Sequence, residues 1–124
     1  MDRSKEIRFV IEIEVTDIEN FRTAVEECSL ISLAEPGTLL YDWYLDDVTS
    51  TARLYEAYES VEAVIAHTAG PVFTEVGPRL LGTCSFARVD CFGPAERLAA
   101  SPQFFPVTYW GNSFSSGANV SSEG

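Results

Sequence analysis

The chain is poor in basic residues, and this shortage excludes two broad classes of partner. Lys and Arg together number 8 against 19 Asp and Glu, which gives a formal net charge of -11. Phosphate backbones and anionic lipid surfaces both attract proteins through basic residues, so a chain of this charge is repelled by them. We therefore expect neither nucleic acid nor a membrane among its partners.

Cofactor and membrane patterns are also missing. The three cysteines, Cys28, Cys84 and Cys91, have no C-x-x-C spacing, and His67 is the only histidine. No glycine-rich phosphate loop follows a strand, and no run of about 18 apolar residues occurs. We expect no metal, no flavin, no signal peptide and no membrane span, and we expect free thiols in a reducing, cytoplasmic location.

The sequence does contain clear alternating and helical apolar patterns. They predict strands over residues 7–15, 38–46, 53–59 and 83–92, a first helix over residues 17–32, and a second helix beginning after residue 60. Thr16 and Glu19 have the spacing of a capping box for the first helix, and Ser60 is the expected N-cap of the second. The order βαββαβ predicts an α+β, ferredoxin-like antiparallel sheet with its helices on one face.

Length and composition predict one domain. It should occupy residues 1–110, with a C-terminal extension from about residue 93, and residues 111–124 form a tail rich in glycine and serine. The aromatic segment 103–110 should pack against the domain, although its place is left open. A domain of this size buries a modest core, so homodimer formation would stabilise it.

Aromatic side chains are concentrated in the second and third strands. Alternation places Tyr41 and Trp43 on one side, and we expect Tyr55 to join them facing the helices, as an apolar pocket with polar tips that suits a flat aromatic ligand. His67 lies beside an apolar stripe of the second helix formed by Val61, Val64, Ile65 and Thr68. Imidazole exchanges protons near neutral pH, so His67 is a candidate acid–base group; the alternatives are a structural histidine and a core that uses rings.

The opposite sheet face combines charges with large apolar residues. We expect it to contain Glu12, Asp42, Glu56 and Arg88 beside Val10, Tyr44, Leu54, Tyr58 and Phe86. So much apolar surface predicts a homodimer formed face to face, in which Arg88 pairs with a buried acid. The charges of this face are therefore expected at the interface and not in catalysis.

Three segments resemble the antibiotic biosynthesis monooxygenase family, over roughly residues 5–106. EPGTLLY is similar to the family's E-x-G-x-x-x-Y strand, LYEAYES to its strand ending in Glu and an aromatic, and EAVIAHTAGPVF to its Ala-x-x-x-His helix. The resemblance implies a dimeric α+β barrel that oxygenates phenols, quinols or anthrones with O2 and without metal or flavin. Haem-degrading relatives would carry Trp where His67 stands and a second histidine, so the resemblance also implies no haem.

The leading hypothesis is thus a cofactor-independent oxygenase for a phenolic, quinol or polycyclic, polyketide-like intermediate of secondary metabolism. His67 would accept a proton, Tyr41 and Tyr55 would orient substrate oxygens, and Trp43 would stack on the rings. The other expected substrate-binding residues are apolar: Phe9, Ile11, Phe21, Val25, Ile65 and Phe73. The alternatives are an isomerase or cyclase using the same proton transfer, and a dimeric ligand-binding barrel without turnover.

Overall fold

The computed structural model describes residues 3–100 and 106–111. The strands are β1 (Ile7–Val15), β2 (Thr38–Asp46), β3 (Thr51–Tyr58), β4 (Cys84–Phe92) and β5 (Thr108–Trp110). The helices are α1 (Ile18–Leu33), α2 (Val61–Thr68), α3 (Gly77–Leu81) and α4 (Glu96–Ala99), with a π-helical turn at Val72–Val76 between α2 and α3. Within the described residues, no helix is long and apolar enough to cross a membrane.

The five strands form one sheet in the order β2-β3-β1-β4-β5. Neighbours among the first four strands are antiparallel, whereas β5 is parallel to β4. The core lies between one sheet face and the helices, and it includes Ile11 and Ile13 from β1 and Phe21 and Cys28 from α1. The prediction of an α+β, ferredoxin-like fold is confirmed.

The two main helices begin at residues whose side chains accept hydrogen bonds from free backbone N–H groups. Asp17, and not Thr16, caps α1, since the Asn20 amide donates to Asp17 Oδ1 at 3.2 Å. The Thr16 hydroxyl instead donates to the Thr83 carbonyl at 3.0 Å. Ser60 caps α2 as predicted, by accepting from the Ala63 amide at 3.3 Å. The predicted bounds of α1 are therefore nearly right, but its predicted capping box is wrong.

The side of the sheet that each β3 residue faces differs from the prediction. The turn at residues 47–50 pairs Asp46 with Thr51, which places Tyr41 opposite Glu56 and Asp42 opposite Tyr55. Residues directly opposite each other in an antiparallel pair share a face. Glu56 therefore faces the helices, as do the buried residues Leu54 and Tyr58, while Tyr55 lies on the other side, which we call the outer face.

A bulge in β4 produces a second difference. Glu12 pairs with Arg88 but Ile13 pairs with Phe86, so Ala87 is an extra residue on β4. Such a bulge shifts the alternation by one residue, so side chains on its two sides do not alternate in step. Phe86 consequently packs against the core instead of lying on the outer face. Arg88 stays on the outer face, where its Nε donates to Asp90 Oδ2 of the same strand at 2.7 Å.

In the aromatic segment 103–110, residues 108–110 complete the sheet as β5, and Val107 packs against the core. Residues 103–105 lie outside the described residues. Trp110 stacks on Phe92 with ring centroids 6.4 Å apart, and its Nε1 donates to Asp90 Oδ1 at 3.0 Å. The predicted tail at residues 111–124 lies outside the described residues except for Gly111.

Candidate active site

The candidate site is centred on His67, in the last turn of α2. Its residue surface is 3% exposed, and it lies on the same buried side of the helix as Val61 and Val64. Residues three apart share a helix face, so this stripe follows from the position of Val61. Ile65 is 44% exposed and points away from the sheet. The predicted stripe through Ile65 and Thr68 is therefore wrong, and Ile65 does not line a pocket on the sheet side.

Two carboxylates flank the imidazole ring on opposite edges. His67 Nδ1 lies 2.7 Å from Glu35 Oε1, a hydrogen-bond distance, in the turn between α1 and β2. His67 Nε2 lies 3.9 Å from Glu56 Oε1 on β3, which is too far for a direct hydrogen bond. The Tyr58 hydroxyl donates a short hydrogen bond to that same Glu56 oxygen. The two imidazole nitrogens thus face two separate acids.

Glu56 lies in an environment that favours its neutral form. Its residue surface is 8% exposed, and burial raises the pKa of its carboxyl, although the Tyr58 hydrogen bond acts against the increase. Burial likewise raises the pKa values of the Tyr41 and Tyr58 phenols, which remain neutral hydrogen-bond donors. A buried carboxyl held toward its protonated form can act as a general acid.

Aromatic rings surround the imidazole on its remaining sides. The ring centroid of His67 lies 5.5 Å from that of Tyr41, 5.2 Å from Tyr58 and 5.6 Å from Phe73. The Phe73 ring comes from the π-helical turn, a distortion that is frequent at functional sites. Trp43 extends this aromatic cluster, because its ring lies 5.8 Å from that of Tyr41. Tyr41, Trp43 and Phe73 are half-buried.

The remaining predicted site residues have different environments. Phe9 is half-buried with its ring 6.1 Å from Tyr58, so it borders the aromatic cluster. Ile11 and Phe21 are buried, and Val25 is half-buried against the same core. Tyr55 is 39% exposed on the outer face, where it contacts Tyr44 with ring centroids 5.7 Å apart. The prediction that Tyr55 joins Tyr41 and Trp43 is wrong, because the hairpin register places it on the other face.

The sequence motifs that lie far apart in the chain meet at this site. A Cβ atom added to Gly37 would lie 2.6 Å from the Ala63 Cβ, closer than such atoms normally approach. Glycine at this position therefore lets the turn after α1 lie directly against α2. The same approach places Glu35, two residues earlier, beside His67, four residues after Ala63. Gly37 and Ala63 thus form the contact that brings the carboxylate to the imidazole.

A cleft opens to solvent on the Glu35 side of the ring. Its volume is about 300 Å³. Its lining includes Glu35, Gly37, Ser60, Ala63, Ala66 and His67. The cleft reaches the edge of the imidazole that carries Nδ1, whereas Nε2 points toward buried Glu56 and the sheet. The two nitrogens of His67 therefore have different surroundings: Glu35 and the cleft on one side, and Glu56 and the sheet on the other.

Metal and thiol chemistry have little support among the described residues. In residues 3–100 and 106–111, no group of three or more His, Cys, Asp and Glu side chains could hold a metal ion. The three cysteines are free, as predicted, and all three are buried. Burial raises the pKa of the Cys28 thiol to about 11 and that of Cys91 to about 12, so neither is a thiolate near neutral pH.

Sequence reasoning found His67, Tyr41 and Trp43 but missed the acids beside them. Glu56 was assigned to the outer face with Leu54 and Tyr58. These three residues do share a face, but it is the one that faces the helices. A single carboxylate between two large apolar residues on one face was the available signal, since such a group is seldom left unpaired. Glu35 was visible as the first residue of the E-x-G motif, although no role was assigned to it.

The family model described as antibiotic biosynthesis monooxygenase matches residues 7–78, which include His67 and both acids. The chain belongs to the antibiotic biosynthesis monooxygenase family. No curated protein sequence is significantly similar to it. The expectation drawn from the three sequence motifs is thereby confirmed at the level of the family.

Solved structures share the fold of this family member. MupZ from Pseudomonas fluorescens has a TM-score of 0.77 and 17% sequence identity, over 92% of this chain and 97% of that chain. SnoaB from Streptomyces nogalater, described as a cofactor-independent oxygenase, has a TM-score of 0.63 and 15% identity, over 82% and 98% of the two chains. A conserved protein from Methanosarcina mazei Go1 has a TM-score of 0.67 and 17% identity, over 73% and 94%.

Proposed function

We propose that this family member is a cofactor-independent oxygenase for a phenolic, quinol or polycyclic aromatic intermediate of secondary metabolism. One observation carries the proposal: a buried imidazole, hydrogen-bonded to a carboxylate, lies among half-buried aromatic rings. Such an arrangement combines a base with surfaces on which a flat substrate can stack. Family membership and the structural similarity to SnoaB support the same reaction class.

The proposed reaction begins with proton loss to His67 Nε2. For a ring CH2 group flanked by carbonyl-bearing rings, deprotonation leaves a carbanion that donates electrons to O2 and forms a C–O bond. Cleavage of the O–O bond then leaves one oxygen as a ring carbonyl, and the other leaves as water with the two former CH2 protons. The substrate is oxidised and O2 is reduced, so the residues act only on protons and on substrate position. Tyr41 orients a substrate oxygen and Trp43 stacks on the rings.

A second candidate, an isomerase or cyclase, is favoured by Glu56. Burial raises the pKa of the Glu56 carboxyl, so a proton donor lies near a proton acceptor, His67, with 3.9 Å between the nearest side-chain atoms. Such an acid–base pair suits a redox-neutral reaction, in which one group protonates an oxygen while the other removes a proton elsewhere. This reaction uses the same proton acceptor, His67, but consumes no O2, so O2 uptake distinguishes it from the oxygenase reaction.

We also propose that the active form is a homodimer joined through the outer face. In the protomer this face presents the half-buried or exposed apolar side chains Val10, Tyr44, Tyr55, Phe92 and Trp110. Apolar surface of this extent in water is typical of a protein interface. Pairs of opposite charge lie beside it, among them Arg53 with Glu12 at 3.6 Å and Arg88 with Asp90 at 2.7 Å. A symmetric partner would bury the apolar residues, and these charges would pair within each sheet.

Oxygen uptake with a panel of quinols and anthrones tests the proposed reaction. We expect one O2 consumed per substrate, and a fall of roughly 100-fold or more in His67→Ala, as for loss of an acid–base group. Glu26→Gln is the control, because it removes a charge at an exposed position of α1, on the other side of the sheet from the outer face. Product formed without O2 would instead support the isomerase or cyclase. Binding without turnover would indicate a ligand-binding barrel and contradict both enzymatic readings.

A further inference from the structure

We propose that Glu35 is the positioning residue for His67: it holds the proton on Nδ1 and so keeps Nε2 free to accept a proton from substrate. The inference deepens the proposed function and rests on it for the identity of the reaction. The inference states which nitrogen of His67 carries the proton, and this can be measured without a substrate. No role was assigned to Glu35 from the sequence. The two proposed reactions do not require Glu35 to contact the substrate.

The Glu35 carboxylate is held in place by several contacts. Its Oε1 accepts from the Thr38 hydroxyl at 2.8 Å in addition to lying 2.7 Å from His67 Nδ1. The backbone of the turn is fixed too, because the Glu35 amide donates to the Ser32 carbonyl at 3.1 Å and the Thr38 amide donates to the Glu35 carbonyl at 3.3 Å. The contact of Gly37 with Ala63 then fixes the turn against α2. The carboxylate is thus positioned before any substrate binds.

A neutral imidazole carries one proton, and its partners determine which nitrogen holds it. The Glu35 carboxylate can only accept, so Nδ1 must donate to it. Nε2 is then unprotonated, and its lone pair points toward the side of the ring where Glu56, Tyr58 and Tyr41 lie. At 3.9 Å from Glu56 Oε1, this lone pair is not used in a hydrogen bond to the protein acid. The geometry therefore leaves a free proton acceptor on the buried side.

Glu35 also stabilises the charge that proton transfer creates. When Nε2 accepts a proton, the imidazolium carries one proton on each nitrogen, and the adjacent carboxylate lowers the energy of the positive charge. The Glu35 side chain is 20% exposed at the solvent cleft. Its negative charge is therefore solvated on the side that faces away from His67. The proton on Nε2 is later returned to the oxygen that leaves as water.

Nitrogen NMR of the imidazole tests this inference directly, since His67 is the only histidine and gives the only imidazole signals in untagged protein. We expect the neutral ring to carry its proton on Nδ1 in the wild type. Glu35→Ala should shift the proton toward Nε2, because the carboxylate that holds the proton on Nδ1 is removed and water takes its place. Glu59→Ala is the matched control, because Glu59 is exposed and lines the same cleft, whereas the acids beside the two ring nitrogens are Glu35 and Glu56.

Several outcomes would overturn the inference. If the neutral His67 ring of the wild type carries its proton on Nε2, the inference is wrong, and this result does not depend on whether Glu35→Ala folds. If Glu35→Ala folds and its His67 ring keeps the wild-type tautomer, the inference is also wrong. With a turned-over substrate, Glu35→Gln should lower kcat at least roughly tenfold with little change in KM, because it removes the charge but not the acceptor. If the wild-type protein consumes no O2 with any substrate of the panel, the proposed function is contradicted. The NMR result would still decide the role of Glu35.

Discussion

Replacing Glu56 by Gln should change how the stability of the protein depends on pH. Burial raises the pKa of this carboxyl above its ordinary value of 4.5, so the folded state binds its proton more tightly than the unfolded state does. Stability from a group with a raised pKa is fully present below the unfolded pKa and is lost as pH rises through the folded pKa. The wild type should therefore lose stability above about pH 4.5.

The magnitude follows from proton linkage. Across the window between the two pKa values, one such carboxyl lowers the free energy of unfolding by up to about 1.4 kcal/mol per pH unit. Glu56→Gln removes this dependence and keeps an oxygen that can accept from Tyr58, a bond worth roughly 0.5 to 1.5 kcal/mol. The two proteins should thus be similar in acid, and the variant should become the more stable one as pH rises.

Urea unfolding from about pH 4 to about pH 9, at one protein concentration, measures the difference. Glu26→Gln serves as the control, because it removes a carboxylate that is exposed on α1, away from the outer face. Tyr58→Phe should extend the window upward, since the Tyr58 hydrogen bond lowers the pKa of Glu56. If Glu56→Gln and Glu26→Gln differ from the wild type by the same constant amount at every pH, the reasoning about burial is refuted.

Three further predictions concern the turn, the rings and the outer face. Gly37→Ala should destabilise the protein by about 1 to 3 kcal/mol, because its Cβ would lie 2.6 Å from that of Ala63; a variant that unfolds like the wild type in urea would contradict the close contact. Trp43→Leu should weaken binding of a flat aromatic ligand with only modest loss of stability, and calorimetry that finds unchanged affinity would move the binding site away from β2. Light scattering should report twice the 13.7 kDa chain mass, and Tyr55→Lys should reduce it toward the monomer; a wild-type monomer at micromolar concentration would end the dimer proposal.

The order of the elements and the side chains that share a strand face could be read from the sequence. Alternation predicted β1 over residues 7–15 and β2 over residues 38–46, which are the bounds that the structure has. Its apolar series in β1, Ile7, Ile11, Ile13 and Val15, is buried. Alternation also correctly grouped Leu54, Glu56 and Tyr58 on one side of β3. These features depend only on the two-residue period of a strand, which is a property of the local backbone.

Which side each group faces was decided by tertiary structure. The register of the β2–β3 hairpin, set by the turn at residues 47–50, places Glu56 beside His67 and Tyr55 on the outer face. A shift of one residue in that register would exchange the two, and periodicity carries no information about it. The bulge at Ala87 acts in the same way on Phe86, because one extra residue reverses the alternation.

The central pair of the site shows the same division. The sequence by itself determined that one histidine is available for acid–base chemistry and that it lies on a helix with Ala63 before it. Only the tertiary structure brought Glu35, 32 residues earlier in the chain, to 2.7 Å from that histidine. The reason is physical: the contact depends on the close approach of two backbones at Gly37 and Ala63, and such an approach is set by packing between elements and not by any pattern within one of them.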